Sequence, residues 1–400
     1  MAKNYDVVVV GGGPGGSTCA ALLGKAGKTV VLLEKARFPR DKTCGDAISG
    51  SLRVQKSLNI IEKLKEQTHA EINGVEFSSP EGVILDIPFA SPGFCCKRFI
   101  YDNIVFQEAL NNADVIQEFE VSELLKQDGR IVGVKGRHKD GREEEIYAKL
   151  VVGADGAYSV VAQQTGCLDL DERHTITAVR AYYRGVKNLR GMIELHFVDE
   201  ILPGYFWIFP VGDGVANVGV GMVDSFMKKK KQNMPNAMMK IIKENAIFKQ
   251  RFEVAELQPG SLKGWRLPVG SKRRTMHGDG FVLVGDAAAL IDPFTGEGIA
   301  NSMVSGEIAA EWAIKALEAG NFSGEFLQGY EDAVWQELGA KMKASYRLQK
   351  IGNIKFLTNM IIKKAARSEQ IRNSLKSMVE DIEHRNNIIN PAFYLKLLLA

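Results

Sequence analysis

The 400-residue sequence lacks most of the features that mark secreted, metal-binding or membrane-spanning proteins. Its five cysteines are an odd number and no two of them form a CxxC pair, so neither a disulfide framework nor a cysteine-based zinc site is indicated. The six histidines are scattered along the chain. No apolar run reaches the roughly 20 residues that a membrane-spanning helix needs. We therefore expect a reduced, cytoplasmic protein that crosses no membrane and holds no metal.

The sequence also lacks a strong charge of either sign. A net charge of +3 is small for this length and gives no reason to expect a nucleic-acid partner. The first strand signal begins within about five residues of the N-terminus, so we expect no signal peptide. Hydrophobic residues (45%) and charged residues (25%) occur in ordinary globular proportions. A chain this long can bury a large core without disulfides.

The N-terminal segment has the pattern of a βαβ unit. Residues 5–10 (YDVVVV) form a continuous apolar run, which is typical of a strand buried on both faces of a parallel sheet. A glycine-rich turn, a helix of small residues over 17–25 and a second apolar strand over 29–34 follow. Parallel crossovers of this kind build doubly wound sheets, so the pattern predicts an α/β, Rossmann-type domain.

Later segments change character. We expect short strands with turns at Asn73-Gly74 and Glu81-Gly82, a helix from Arg98 to about Asn112, and a hairpin around Asp128-Gly129. Alternating apolar and polar residues over 174–226 predict antiparallel strands in a sheet with one exposed face. Further expected elements are a strand at 145–153, helical residues at 236–255, a strand at 280–284, a helix over 298–317 and mostly helical structure beyond it.

The glycine turn has the spacing of a dinucleotide-binding loop. Gly11, Gly13 and Gly16 occupy the glycine positions of GxGxxG, where they permit the tight turn, the close approach of a pyrophosphate and helix packing. The following helix N-terminus offers free N–H groups to phosphates. Glu34 ends the second strand, where a carboxylate accepts hydrogen bonds from ribose hydroxyls and repels a 2′-phosphate. We include the neighbouring residues Pro14, Gly15 and Lys35 in the predicted cofactor-binding set.

This fingerprint occurs once in the sequence. A flavoprotein that held NAD(P)H on its own Rossmann domain would show a second copy. We therefore expect an external electron donor, either NAD(P)H that visits the flavin transiently or a redox protein.

Two later segments resemble motifs of the para-hydroxybenzoate hydroxylase-like flavoproteins. Gly153-Ala154-Asp155-Gly156 resembles their DG motif, and Gly285-Asp286-Ala287-Ala288 resembles their GD motif. The resemblance implies FAD as the cofactor, with Asp155 and Gly156 beside it and Asp286 on its ribityl chain. The sequence departs from the pattern after Ser159, where Ala162 and Gln163 stand in place of the usual arginine, so any contact of that arginine with nicotinamide or flavin is in doubt.

The same resemblance adds further cofactor-binding residues. Arg98 matches a position where the family often places an arginine near the FAD phosphates, and Val121 matches a strand position near the adenine. The segment Pro293-Phe294-Thr295-Gly296-Glu297-Gly298 leads into a helix whose N–H groups could face the flavin O2 side, where negative charge gathers on reduction. The predicted contacts in this segment are Pro293, Gly296, Gly298 and Ile299.

Two more segments resemble the geranylgeranyl reductase family within that superfamily. Cys44-Gly45-Asp46 matches its CGD segment, and Tyr205-Phe206-Trp207-Ile208-Phe209-Pro210 matches its YxWxFP segment, which lines the substrate cavity. Flavin-dependent halogenases normally carry two tryptophans in the related motif, whereas Tyr205 holds the first place here. The resemblance spans residues 4–320 and favours the reductase branch.

The resemblance implies reduction of C=C bonds in a polyprenyl lipid by reduced flavin. An isolated alkene accepts hydride poorly unless a proton arrives from a positioned donor at nearly the same time. We expect Cys44 to be the donor or to organise it, Asp46 to orient water or a flavin edge, and Cys44 and Gly45 to lie near the cofactor. Tyr205 and Trp207 share a strand face, so both could form an apolar wall against one ligand.

Two other functions stay open at this stage, because the fold alone does not fix the chemistry. One is a monooxygenase or halogenase-like enzyme acting on an aromatic or quinone-like substrate. The other is a flavoprotein that passes electrons to a quinone.

The C-terminal part also has two interpretations. Residues 352–367 and the terminal FYLKLLLA mix apolar residues with cations. They fit either core helices with a charged face or a peripheral contact with an anionic membrane surface at the inner face of the membrane.

These patterns predict three regions. An FAD-binding domain comprises residues 1–70, 98–172 and 264–325. An inserted antiparallel-sheet substrate domain comprises 71–97 and 173–263, and a helical region covers 326–400.

Overall fold

The computed structural model describes residues 4–49 and 52–380. The strands in these ranges are β1 Asn4–Val10, β2 Val30–Glu34, β3 Ala47–Ile48, β4 Ala70–Ser78, β5 Ile84–Cys95, β6 Asp114–Gln117, β7 Phe119–Gln127, β8 Arg130–His138, β9 Glu143–Gly153, β10 Thr175–Arg184, β11 Ile193–His196, β12 Gly204–Pro210, β13 Val215–Val223, β14 Glu256–Leu257, β15 Lys263–Pro268, β16 His277–Gly278 and β17 Phe281–Leu283. The α-helices are α1 Pro14–Lys25, α2 Arg53–Ser57, α3 Ile60–Lys65, α4 Arg98–Leu110, α5 Val160–Gln164, α6 Asp224–Lys229, α7 Met234–Glu244, α8 Ala246–Lys249, α9 Ile299–Ala319, α10 Gly324–Gly352, α11 Lys355–Arg367 and α12 Glu369–Glu380.

The first sheet has a parallel centre. Its main strand order is β16-β17-β9-β1-β2-β6, and β17, β9, β1, β2 and β6 run parallel to one another. The hairpin β7–β8 adds antiparallel strands to the N-terminal part of β9. All of β2 and most of β1 are buried, as the continuous apolar runs predict. This sheet is the Rossmann-type layer expected from the sequence.

Helix α1 packs closely against α9 through small residues. A Cβ on Gly15 would lie 2.7 Å from the Ser302 carbonyl oxygen, and one on Gly306 would lie 2.3 Å from the Gly15 carbonyl oxygen. Larger side chains would therefore push the two helices apart. Helix α1 begins at Pro14, earlier than expected, because a proline at the first helical position needs no hydrogen-bond acceptor and has a φ suited to a helix.

The second sheet is mainly antiparallel. Its main order is β14-β10-β13-β12-β11-β4-β5-β3, with β15 paired to β10 and with β11 parallel to β4. The expected antiparallel strands over 174–226 are confirmed, but the expected exposed face is wrong. All nine residues of β13 are buried, because α7 and α8 cover one face of the sheet and the other face lines a cavity.

The expected turn at Asn73-Gly74 is also wrong. Strand β4 runs through these residues, and its register with β5 shifts between Ile72 and Gly74, which is a β-bulge. A Cβ on Gly74 would lie 2.6 Å from the Ile87 carbonyl oxygen, so glycine serves a close strand approach here and not a chain reversal. The expected turn at Glu81-Gly82 does separate β4 from β5.

The C-terminal region is helical from α10 to α12, as expected for residues up to 380, and the terminal FYLKLLLA lies outside the described residues. None of the helices in the described ranges combines the length and hydropathy that a bilayer span requires. The two-residue strand β3 and strand β15 belong to the second sheet, although the predicted domain boundaries put residues 47–48 and 264–268 with the first domain. Those boundaries stay a prediction.

Candidate functional site

One large cavity is lined by residues of both sheets. Its volume is about 1270 Å³, which exceeds the roughly 300–1,000 Å³ of pockets that hold a single small ligand. One part is polar and glycine-rich and lies beside the loops that follow β1, β9 and β17. The other part is apolar and lies against the second sheet and α11. The cavity therefore has room for a dinucleotide and a second, apolar ligand.

The three glycines of the first loop have different surroundings. Gly11 has a φ of +104°, and a Cβ there would lie 2.4 Å from the Ala154 carbonyl oxygen. A Cβ on Gly16 would lie 2.0 Å from the Gly11 carbonyl oxygen. Gly13 has ordinary φ and ψ values and lines the cavity, and a Cβ there would have only the Arg40 guanidinium within 4 Å. Gly13 thus leaves a cradle that a side chain would fill, as close approach of a diphosphate requires.

Glu34 is buried at the end of β2 and holds the turn together. One of its carboxylate oxygens accepts the Gly12 N–H at 2.7 Å, and the other accepts the Ala36 N–H at 2.8 Å. The carboxylate still lines the cavity beside Lys35. Its free lone pairs could accept ribose hydroxyls, as the sequence predicts.

Positive charge gathers beside the glycine cradle. The buried Asp102 carboxylate accepts from Arg98 at 2.8 Å and from Arg40 at 2.9 Å, and both arginines line the cavity. Two guanidinium groups share this carboxylate, and the Arg40 guanidinium also lies 3.9 Å from the Glu34 carboxylate. Both guanidinium groups are thus held at the cradle, where their remaining N–H groups can bind a diphosphate. Sequence reasoning selected Arg98 but missed Arg40, although Arg40 lies only four residues before Cys44.

The two aspartates of the later motifs lie at the same cavity. The Asp155 carboxylate accepts the Ser159 hydroxyl and the Val160 N–H at 2.7 Å, so it also caps α5. Gly156 has a φ of +84° and no atom near its missing Cβ, which leaves space on the cavity side. Burial raises the pKa of Asp286, while Lys42 and Arg98 act in the opposite direction.

Lys42 is a further charged residue of the cavity that the sequence did not single out. Its ammonium lies 3.4 Å from the centroid of the Trp265 ring. Burial lowers its pKa to about 8, although the nearby Asp286 carboxylate raises it. Lys42 and Asp286 thus partly compensate each other's charge at the cavity wall.

Three side chains of helix α10 bond to the loop formed by residues 292–298. Lys341 pairs with Glu297, the Ser345 hydroxyl donates to Asp292 at 2.6 Å, and the Gln349 amide donates to the Pro293 carbonyl at 2.6 Å. These three helix residues are spaced by four, so they lie on one face. These contacts hold the loop in place against the cavity. The cavity lining includes Pro293, Gly296, Gly298 and Ile299.

The Cys44-Gly45-Asp46 turn is tied to the second sheet by buried hydrogen bonds. The Asp46 carboxylate accepts the Tyr182 hydroxyl at 2.7 Å and the Asn217 amide at 2.8 Å. The same Asn217 amide donates to the Cys44 carbonyl at 2.7 Å, and its oxygen accepts the Trp207 indole N–H at 3.0 Å. The turn and the aromatic strand are thus joined through Asn217, which the sequence gave no signal to select.

Ionisation of this turn is shifted by burial. Burial raises the pKa of Asp46 to about 6, against the hydrogen bonds from Tyr182 and Asn217, which lower it. Burial also raises the pKa of the Cys44 thiol, and so does the nearby Asp46 carboxylate, while the Arg98 guanidinium and the Asp46 backbone N–H act in the opposite direction. Cys44 therefore keeps its proton at neutral pH. Cys44 is partly exposed and lines the cavity.

Tyr205 and Trp207 both line the cavity from β12, as expected. The Tyr205 hydroxyl donates to the Thr295 carbonyl of the 292–298 loop at 3.0 Å. Their rings lie 6.1 Å apart, edge to face. The polar ends of both side chains are thus engaged by protein, and their rings are left to form the apolar wall.

The apolar part of the cavity is built by the hairpin β4–β5, by β11 and β12, and by the terminal helices. Its large apolar lining residues are Ile72, Val75, Phe77, Leu85, Ile87, Phe89, Ile193, Leu195, Phe197, Phe209, Ile361, Ile362 and Leu375. A surface of this kind excludes water and suits a hydrocarbon ligand.

The structure brings most of the predicted site residues to this one cavity. The lining includes Gly11, Gly13, Pro14, Glu34, Lys35, Cys44, Gly45, Asp46, Arg98, Val121, Asp155, Gly156, Tyr205, Trp207, Asp286 and the four selected residues of 293–299. Gly15 and Gly16 do not line it, because they pack against α9 and the Gly11 carbonyl.

A separate buried group consists of Glu76, Glu194 and His196, whose potential ligand atoms lie within 4.8 Å of one another. Both carboxylates are already paired, with Arg190 and Arg251 respectively. Arginine side chains thus balance the charge of both carboxylates, and we interpret the group as a structural ion-pair network.

Comparison with protein families identifies the cofactor that the polar part of the cavity suits as FAD. Residues 4–337 match the FAD binding domain family. The chain is 32% identical over 356 residues to a digeranylgeranylglycerophospholipid reductase of Methanopyrus kandleri, covering 87% of this chain and 86% of that protein.

Solved structures show the same architecture. A geranylgeranyl bacteriochlorophyll reductase-like protein from Thermoplasma acidophilum superposes with a TM-score of 0.82 at 25% identity, covering 97% of this chain and 99% of that chain. A flavin-dependent brominase superposes with a TM-score of 0.76 at 22% identity, covering 92% and 93% of the two chains. The second likeness concerns the fold alone.

Proposed function

The chain belongs to the geranylgeranyl reductase family of FAD-dependent oxidoreductases, and from this premise we propose that it saturates C=C bonds of a polyprenyl lipid. The observation that carries the proposal is the joint cavity: its glycine-rich half fits FAD, its other half is apolar, and Cys44 lies on its wall. A small polar substrate would leave most of the apolar lining unused. A hydrocarbon chain would cover it.

The residues of the polar half fit FAD by their own chemistry. The open cradle at Gly13, the guanidinium groups of Arg40 and Arg98, and the carboxylates of Glu34 and Asp286 match a diphosphate and sugar hydroxyls. Bound FAD, once reduced, supplies the hydride that the reaction needs. Gly296 and Gly298, before α9, line the same cavity.

We assign the proton to Cys44. The thiol is neutral at pH 7 because burial raises its pKa, so it can give a proton to the alkene carbon that does not receive hydride. The Arg98 guanidinium and the Asp46 N–H face the sulfur and stabilise the thiolate that remains. The aromatic wall of Tyr205 and Trp207 holds the hydrocarbon and keeps water out.

A single-turnover experiment tests the proposal. The FAD-loaded protein is reduced chemically without oxygen and mixed with a geranylgeranyl glycerolipid, and the absorbance of oxidised flavin is followed. We expect the absorbance to return with the unsaturated lipid and not with its fully saturated counterpart. Flavin that stays reduced with the lipid but is oxidised rapidly by a quinone would contradict the proposal.

Substitution of the thiol makes the test specific. We expect Cys44→Ala to slow lipid-dependent reoxidation by about a hundredfold or more, the usual contribution of a general acid. Cys167→Ala serves as the matched control, because Cys167 is also partly exposed but lies outside the cavity lining.

We also propose that α11 rests on the membrane that supplies the lipid. Its residues Thr358, Ile361 and Ile362 line the cavity, whereas Phe356 is 71% exposed and Ile354, just before the helix, is 49% exposed. The helix also carries four cations, Lys355, Lys363, Lys364 and Arg367, of which Lys355 and Lys363 pair with Asp199 and Glu81. Exposed apolar residues beside cations suit the surface of an anionic bilayer.

A further inference from the structure

Asn217 lies at the centre of the buried contacts between the two most informative motifs. Its side chain is fully buried on β13. It makes three hydrogen bonds, to the Cys44 carbonyl, to the Asp46 carboxylate and from the Trp207 indole. Cys44 and Trp207 are far apart in sequence, and within the described residues Asn217 is the side chain that bonds to both.

The orientation of this amide is dictated by its partners. The Trp207 indole only donates, so it must face the amide oxygen. The Cys44 carbonyl and the ionised Asp46 carboxylate only accept, so they must face the amide nitrogen. An aspartate at this position would turn an acceptor toward two acceptors, and a leucine would offer no hydrogen bond at all.

Besides Asn217, the turn is held by the Tyr182 hydroxyl, which donates to the Asp46 carboxylate, and by the Cys96 N–H, which donates to the Asp46 carbonyl at 3.0 Å. Asp46 adopts a positive φ of 69°, which is uncommon for a residue with a side chain. Its Oδ1 atom is buried without a hydrogen-bond partner in the part of the chain that the structure describes, so Oδ2 carries all the side-chain bonds. Among the described residues, loss of the Asn217 amide leaves Tyr182 as the one side chain that donates to this carboxylate.

We propose that Asn217 is a positioning residue that fixes the Cys44 thiol relative to the Trp207 wall. The Cys44 carbonyl and the Asp46 carboxylate lie on either side of Gly45, so the two amide bonds set the orientation of the whole turn. That orientation determines how the sulfur faces the cavity, Arg98 and the Asp46 N–H. The role in catalysis rests on the proposed lipid reduction, whereas the effect on the thiol does not.

Thiol alkylation measures the position of Cys44 without any turnover. The FAD-loaded protein is treated with iodoacetamide, and mass spectrometry of peptides gives the Cys44 rate relative to Cys167 in the same molecule. We expect Asn217→Leu to change this ratio at least about threefold, in addition to lowering kcat for lipid reduction on the order of tenfold with little change in KM.

Two further variants separate positioning from general destabilisation. Val218→Ala removes buried atoms from the neighbouring residue, which packs toward α7 on the opposite face of β13, and should lower stability without changing the ratio. The alkylation ratio of Asn217→Asp should differ from that of the unsubstituted protein at about pH 8 and approach it at about pH 6. At the lower pH the carboxylates of Asp46 and of the new aspartate share a proton, and this proton restores a hydrogen-bond donor between them.

The outcomes decide between the two claims. An unchanged alkylation ratio in Asn217→Leu, or a ratio that Val218→Ala changes equally, overturns the positioning role. An Asn217→Asp variant whose ratio shows no recovery on acidification also overturns it. If the unsubstituted protein reduces no prenyl lipid but the ratios behave as expected, the proposed function fails and the positioning of the thiol stands.

Discussion

The glycines of the first loop show how one residue type meets three different demands. Gly11 needs its positive φ, Gly16 needs the absence of a Cβ against the Gly11 carbonyl, and Gly13 needs neither for the protein itself. Its backbone is ordinary and the space beside it is open. We therefore propose that the demand on Gly13 comes from the cofactor.

This difference leads to a prediction for Gly13→Val. The protein should fold with near-normal stability but bind FAD on the order of a hundredfold more weakly, because the side chain fills the diphosphate cradle. Unfolding curves and the flavin absorbance of the purified protein measure the two properties. Gly16→Ala is the contrasting variant and should impair folding itself. A yellow Gly13→Val protein with full FAD content would contradict this account.

Asp46 gives a prediction for the pH dependence of stability. Its folded-state pKa of about 6 lies above the unfolded value, so the folded state binds more protons in the window between them. The contribution of Asp46 to the free energy of unfolding therefore rises by on the order of 3 kcal/mol as the pH falls from about 6 to about 4. Above this window the cost of the buried charge is fully present.

Urea unfolding of the unsubstituted protein and of Asp46→Asn across this range measures the effect. The stability of the unsubstituted protein relative to the variant should increase on acidification. Asp6→Asn is the control, because the Asp6 pKa is lowered to about 2 and its contribution is lost only at more acidic pH. A stability difference that is flat between about pH 7 and pH 4 would count against the raised pKa.

At the scale of elements, the loop before α9 depends on a helix that follows it in the chain. Lys341, Ser345 and Gln349 of α10 bond to Glu297, Asp292 and Pro293. Tyr205 of β12 bonds to the same loop from the second sheet. The loop is therefore held from two sides before any cofactor binds.

We expect Lys341→Met to weaken FAD binding by about tenfold, because loss of a buried charge partner leaves Glu297 uncompensated and loosens the loop. Titration of the apoprotein with FAD measures the change. Lys343→Met is the matched control, because Lys343 is exposed on the same helix. Equal FAD affinities in the two variants would contradict the role of the contacts between α10 and the 292–298 loop.

The elements themselves were predictable where local pattern and tertiary environment agree. The apolar runs of β1 and β2 indicate buried parallel strands, and Asp128-Gly129 indicates the β7–β8 hairpin. Asn73-Gly74 was misread because its glycine serves the close approach of β5, a demand that comes from another strand. The exposed face expected for the second sheet was wrong because α7, α8 and the cavity cover it, and alternation along one strand does not report these neighbours.

The site shows the same division. Residues with a motif, such as Cys44 and Trp207, could be selected from the sequence. Asn217 and Tyr182 could not, because they stand at ordinary strand positions and acquire their role only through contacts with distant parts of the chain. Arg40 could have been found, since it lies in the same short segment as Cys44.

At the scale of the whole molecule, the cavity and α11 suggest how a lipid could enter. We expect Phe356→Asp to reduce binding to vesicles that contain anionic lipid, because it places a negative charge at the exposed apolar end of the helix. Vesicle co-sedimentation measures this, with Val254→Asp as the control at another strongly exposed apolar residue. Equal binding by both variants, or no binding by the unsubstituted protein, would remove α11 as a membrane contact.

The most direct test of the central claim is the mass of the lipid product. The FAD-loaded protein is reduced without oxygen, mixed with a geranylgeranyl glycerolipid, and the lipid is analysed by mass spectrometry. The account predicts a product that gains two hydrogen atoms for each reduced bond and forms in Asn217 and Cys44 variants at reduced rates. An unchanged lipid, or a product that forms only with oxygen and gains an oxygen atom, would contradict it.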